Sequence, residues 1–267
     1  MGPQEQVEAC GREAAALLGR LLGDDLVAVY LGGSGALGGV AAGQSDVDLV
    51  AVCAAAPGEE PRRAVVAGLG GLAMGWPVRG LEFVLYTRAA VADPAERPRF
   101  ELNLNVGPRM PYHLSLDPAS EPAHWFVLDL AILRDHGRVL TGPPPGELVG
   151  PIPRRWLLEA LAASMAWHRA NEPDLQQTVL NASRGWRFAS EGVWSSKNDA
   201  GAWAMASTGD PATVSAALAA RHGDRSATLD PARVEAFVGE ALPAVEQALG
   251  LSEARVEDGP RPPAPGG

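Results

Sequence analysis

The chain has little cysteine and almost no lysine. Its two cysteines, Cys10 and Cys53, are too few for a disulfide framework, and neither stands at metal-ligand spacing from other candidate ligands. Lys197 is the only lysine among 22 basic residues. No run of roughly 18 consecutive apolar residues, as a membrane span requires, is present, and the first residues lack the basic segment and apolar core of a targeting peptide. A cytoplasmic protein with no membrane partner is therefore expected. The formal net charge of −10 lacks the basic excess that nonspecific nucleic-acid binding needs, so no nucleic-acid partner is expected; it suits a cationic small molecule. No glycine is followed by Lys-Ser or Lys-Thr, which removes a P-loop as the source of any nucleotide site. No stretch advertises a self-association surface, and a monomer is expected.

What is present begins with residues 26–52, LVAVYLGGSGALGGVAAGQSDVDLVAV. Two short Val- and Leu-rich runs, 26–31 and 47–53, read as buried strands around a glycine-rich turn. The turn opens on Gly32-Gly33-Ser34 and closes on Ser45-Asp46-Val47-Asp48. Strand alternation puts Asp46 and Asp48 on one face, where two like charges repel. A divalent cation would relieve that repulsion. Mg²⁺ takes one or two carboxylates together with substrate phosphate oxygens, and a glycine-rich turn lets backbone N–H groups approach phosphate. An ordinary turn followed by two solvated acids is the other reading of either motif taken alone.

In chain order, residues 5–22 carry apolar residues at helical spacing, and 57–75 reads as a second helix weakened by glycines. Residues 81–86, LEFVLY, form a third strand whose single charge is Glu82. A lone carboxylate in an apolar strand is costly unless it lies at an edge or serves a site, and beside the two aspartates it reads as a third acid of that site. Residues 100–106 alternate Glu101, Asn103 and Asn105 against Leu102, Leu104 and Val106, a half-buried strand whose polar face meets solvent or lines a cleft. Residues 108–122 read as loop. A helix follows over 123–135, with Trp125, Leu128, Ile132 and Leu133 inward, and then an extended piece over 137–141. The proline run at 143–145, with Pro151 and Pro153 after it, reads as a linker.

Beyond it strand signals stop, and 154–171, 174–191, 203–222 and 231–250 carry helical periodicity. The expected fold is therefore α+β: a mixed-sheet domain over 1–145, an all-α helical bundle over 151–255, and a disordered tail over 256–267. In the second of these helices Asp174, Gln177, Asn181 and Arg184 share one face. That face is either solvated or turned toward the first domain, where the Arg184 guanidinium would meet phosphate as a bidentate fork. Lys197 has the same two readings.

Together the glycine-serine pair and the Asp-x-Asp resemble the nucleotidyltransferase superfamily. The wider sequence resembles the bacterial aminoglycoside 3''-adenylyltransferases, through GGSGALGG, SDVDLVAV, LEFVLYT, LDLAIL, RVLTGPPPGELVGPIP and VLNASRGWRFASEGVWSSKNDAGAWA, over about residues 10–205. The resemblance implies an enzyme that transfers AMP from ATP to a drug hydroxyl and releases pyrophosphate, with Mg²⁺ and a cleft between two domains. It implies phosphate contacts from Gly33, Ser34 and Ser45, metal ligation by Asp46 and Asp48, and Glu82 as catalytic base beside the substrate. It further implies Arg184 and Lys197 on the triphosphate, and Asp174 and Gln177 on the cationic drug. A nucleotidyltransferase acting on another metabolite or a protein, and an idle nucleotide-binding module, are the alternatives. Residues 103–110 have no aromatic where the family packs a tryptophan on streptomycin, and Ala170 replaces an acidic drug contact; both departures count against streptomycin.

Overall fold

The computed structural model describes residues 1–97 and 99–257. In chain order the helices and strands are α1 (Pro3–Leu22), β1 (Leu26–Leu31), α2 (Gly33–Leu37), β2 (Val47–Cys53), α3 (Glu59–Ala73), β3 (Leu81–Thr87), α4 (Arg88–Ala92), β4 (Phe100–Gly107) and β5 (Met110–Ser115). They continue as α5 (Ala123–His136), β6 (Arg138–Thr141), α6 (Pro145–Leu148), α7 (Arg154–Asn171), α8 (Leu175–Glu191), α9 (Lys197–Ser207), α10 (Pro211–Arg221) and α11 (Pro231–Glu257). Among the described residues the strands form one sheet of six in the order β5-β4-β3-β2-β1-β6. Only β2 and β3 run parallel, as expected for strands joined by a helical crossover; the other pairs are antiparallel.

The sheet has two faces of different character, and period-two alternation sorts the residues between them. One face carries Leu49, Ala51, Phe83, Leu85, Leu102 and Leu104, all buried under α1 and α3. The other carries Tyr30, Val50, Val52 and Tyr86, covered by Phe126, Leu130 and Leu133 of α5. Burying each of those three α5 side chains contributes about 1.5–3 kcal/mol. The opposite side of α5, through Val127 and Ala131, joins the core that α7, α8, α10 and α11 build around Leu158, Leu180, Val214 and Phe237. One helix thus touches both the sheet and the helical bundle. On the α5 side of the sheet, the apolar rows of β2 and β3 end in acids: Asp48 two residues before Val50, and Glu82 four before Tyr86.

Several expectations are corrected. Residues 110–115 form a strand, not loop: Gly107 pairs with Met110 in a tight hairpin and the strand lies at the sheet edge, where Pro111 is tolerated. The glycine-rich turn contains the short helix α2. The segment 203–222 is two helices, broken at Thr208-Gly209-Asp210 before Pro211. The linker reading of the proline run stands as an expectation; at its start the Tyr30 hydroxyl of β1 donates to the Pro143 carbonyl at 2.8 Å. The first two residues of the tail expected over 256–267 end α11, and from residue 258 that expectation lies outside the described residues. Among the described residues no helix is long and apolar enough to cross a membrane.

Candidate active site

Parallel pairing of β2 and β3 sets Asp48 directly opposite Glu82. Asp46 lies two residues before Asp48, and one carboxylate oxygen from each of the three comes within 4.8 Å of the others. The glycine turn makes this possible. Gly33 has φ +45°, and a Cβ placed there would lie 2.0 Å from Asp48 Oδ2, so the aspartate occupies the room that a side chain would take. Asp48 is held by the turn in return: its carbonyl accepts from Gly32 N at 2.8 Å and its Oδ2 from Ser34 N at 3.3 Å. The Ser34 hydroxyl is buried and has no partner. Ser45 is also buried and its hydroxyl accepts from Ala41 N at 3.0 Å, closing the loop that leads into the Asp-x-Asp.

The electrostatics follow from crowding. Burial, then Asp46 and Asp129, push the Asp48 carboxyl up to about 8. Glu82 is raised well above the usual carboxylate range, first by Asp46, then by burial and Asp48. Arg79 compensates in part, with Nη1 donating to Asp46 Oδ2 at 2.7 Å, and Lys197 acts on Asp48. Three oxygen donors of like charge, short of counter-charge, suit a hard divalent cation such as Mg²⁺. The acids fit that ion.

Across the space above them stands the positive wall. Arg184, on α8, donates from Nε to the Ser195 carbonyl at 3.0 Å, and its acidic neighbours are Asp129 and Asp48. Lys197 opens α9 behind the N-cap Ser196 and donates to Gln177 Oε1 at 2.5 Å. Burial, then Arg184 and Arg221, lower its ammonium to about 8. Asp174 caps α8, accepting from Gln176 N at 3.1 Å. All ten residues singled out by sequence (Gly33, Ser34, Ser45, Asp46, Asp48, Glu82, Asp174, Gln177, Arg184 and Lys197) line one cavity of about 480 Å³, within the range of small-ligand sites. The face of α8 that bears Asp174, Gln177, Asn181 and Arg184 turns into this cavity.

Residues 147–243 match the family model described as aminoglycoside adenylyltransferase, C-terminal domain. The chain resembles that family, as its motifs do. Among curated proteins none matches. Of the solved structures, the crystal structure of spectinomycin adenyltransferase AAD(9) from Enterococcus faecialis with ATP and spectinomycin shares the fold, with a TM-score of 0.70 and 16% identity over 92% of this chain and 100% of that chain.

The cavity residues not apparent from the sequence reading include Asp129, Trp125, His168 and Arg221. Asp129 on α5 is open to the cavity, and desolvation by the cavity walls raises its carboxyl to about 6 despite Arg184. The signal was a single acid in an otherwise apolar helical run. Trp125, read as a core residue, lines the cavity and meets Trp167 edge-on at 5.0 Å between centroids. His168 is neutral: its Nδ1 must donate to the Ser164 carbonyl at 2.8 Å, so Nε2 accepts from Asn181 Nδ2 at 2.8 Å. Arg221 reaches the cavity from the end of α10, and no sequence pattern marks it. Asn103 and Asn105 take the cleft reading of β4, not the solvent one.

Proposed function

We propose that this protein is an ATP-dependent O-nucleotidyltransferase that transfers AMP to a hydroxyl of an aminoglycoside or aminocyclitol and releases pyrophosphate. The observation that carries this reading is the opposition of two walls across one cavity: the acids of β2 and β3 on one side, Arg184 and Lys197 on the other. Residues 1–145 act as the nucleotidyltransferase domain and 151–255 as the helical domain that completes the cavity.

Asp46 and Asp48 would hold Mg²⁺, which when bound neutralises phosphate charge and relieves the repulsion among the three acids. The Gly33-Ser34 turn and Ser45 receive the phosphates through N–H and hydroxyl groups, and Ser34 Oγ, buried without a partner, is free for that contact. Arg184 and Lys197 hold the triphosphate from the opposite wall. The Glu82 carboxylate accepts the proton of the substrate hydroxyl as that oxygen bonds to the α-phosphorus of ATP. The bond from that phosphorus to the bridging oxygen breaks, and pyrophosphate leaves with the electron pair. Glu82 accepts that proton as the carboxylate, the form favoured once the charge of Asp46 and Asp48 is offset. Positioning and charge placement supply most of the rate.

The remaining space takes the cationic acceptor. Asp129 and Asp174 offer charge to ammonium groups, Gln177 and Asn181 offer hydrogen bonds, and Trp125 offers an apolar face. Spectinomycin, which the similar solved structure contains, is the acceptor we propose to test first. A panel of aminoglycosides and aminocyclitols incubated with protein, ATP and Mg²⁺ should give one drug whose intact mass rises by one AMP, with pyrophosphate released. ATP binding without turnover on any member would instead identify an idle nucleotide-binding module.

A further inference from the structure

We infer that Arg221 is the third cation of the phosphate cradle and the residue that reads the terminal phosphates of ATP. The inference rests on the nucleotidyltransferase reading of the same cavity. Arg221 is only 4% exposed, yet both of its hydrogen-bond partners are neutral: Nη2 donates to the Gly39 carbonyl at 2.8 Å and Nε to Asn198 Oδ1 at 3.2 Å. Among the described residues no carboxylate forms an ion pair with it. A guanidinium carries five N–H donors, so three remain for whatever enters the cavity it lines. Asp46 acts on it only from beyond ion-pair distance and is itself paired with Arg79, so the buried guanidinium is accounted for if an anion arrives.

Its surroundings specify the anion. Arg184, Lys197 and Arg221 come from three successive helices and face one another, each held below its ordinary basicity first by burial. Three crowded cations with neutral hydrogen-bond partners suit a ligand carrying several charges in a row. Arg221 approaches the glycine turn at Gly39, where a Cβ would lie 2.5 Å from Ser196 Cβ, so turn and helical region are in direct contact there. Arg221 holds the far end of the glycine turn at Gly39, whereas Asp48, opposite Glu82, holds its start at Gly32 and Ser34. The reacting α-phosphorus must lie beside Glu82. The β- and γ-phosphates then lead away from it, toward Lys197 and Arg221.

Calorimetry on the full chain with AMP, ATP and inorganic tripolyphosphate, each with Mg²⁺, tests this. In Arg221→Gln, ATP and tripolyphosphate affinity should fall by about tenfold or more, the scale of a lost charge-assisted hydrogen bond, with AMP affinity unchanged. Arg221→Lys keeps the charge and loses the fork, so tripolyphosphate should weaken by about threefold with AMP again unchanged. This second variant carries the test alone if the glutamine variant does not fold. Equal weakening of AMP and ATP would reduce Arg221 to a support for the Gly39 turn and overturn the inference, as would unchanged tripolyphosphate affinity in the folded variant. Wild-type protein that binds neither ATP nor tripolyphosphate would overturn the nucleotidyltransferase reading as well.

Discussion

The carboxylate of Asp48 fills the space beside the α-carbon of Gly33, 2.0 Å from where a Cβ would stand. Aspartate and glycine are therefore one unit: the acid can point into the cavity only because residue 33 has no side chain.

Gly33→Ala should accordingly displace Asp48. The added methyl also meets a left-handed backbone at φ +45°, a strain of about 1–2 kcal/mol for a residue with a side chain. The expected outcome is a modest loss of stability in denaturant melts and a loss of Mg²⁺-dependent ATP binding by calorimetry. Normal nucleotide binding in this variant would contradict the geometry assigned to the turn.

Glu82→Gln keeps the size of the side chain and removes the proton acceptor. Turnover should fall by about 10²- to 10⁴-fold, the usual weight of general-base catalysis, while ATP still binds. A single-turnover assay on the preferred drug decides it. Adenylylation at the wild-type rate would remove Glu82 from the chemistry.

Arg184→Ala should weaken ATP binding by about tenfold or more, because a guanidinium facing phosphate across the cavity makes charge-assisted hydrogen bonds. Arg184→Lys should recover only part of it, since the lysine cannot keep both a phosphate fork and the Ser195 carbonyl contact. Wild-type affinity in the alanine variant would return this face of α8 to a purely structural role.

His124 gives the fold an acid weakness. It is 8% exposed, its Nε2 is buried without a partner, and burial, aided by His168, lowers its pKa from 6.5 to about 4. Between those values the unfolded chain takes up a proton that the folded chain refuses. Stability is therefore lost as the pH falls through that window, by at most about 3 kcal/mol for this group. Denaturant melts at pH 7 and pH 4.5 should show a smaller drop for His124→Phe than for the wild type. Equal drops would assign the acid sensitivity to other groups.

How far this could be read from sequence depended on whether a feature is local. Strands β1 to β4 and helices such as α7 and α8 declare themselves by period, and the acids of β2 and β3 declare themselves by charge in an apolar run. Strand β5 does not: Pro111, Tyr112 and His113 carry no clear alternation, and only pairing with β4 makes the segment extended. The face of α8 had two readings because periodicity says which residues share a side, not what that side meets. Trp125 and Arg221 needed the tertiary arrangement altogether, and Asp129 showed only as a lone acid in an apolar run. Helix α5 is apolar on two sides because it lies between sheet and bundle, which hid the fact that Trp125 and Asp129 face a cavity.

The side-by-side placement of Asp48 and Glu82 also guards against misfolding. Were β3 to slide one position along β2, Phe83 would face the cavity and Glu82 would be driven among Leu49, Leu85 and Leu102, beneath α1 and α3. An unpaired carboxylate there would be heavily penalised, so the wrong alignment is discouraged by the same acid that the right one employs. The acidic wall of the cavity and the correct strand alignment are thus selected together during folding.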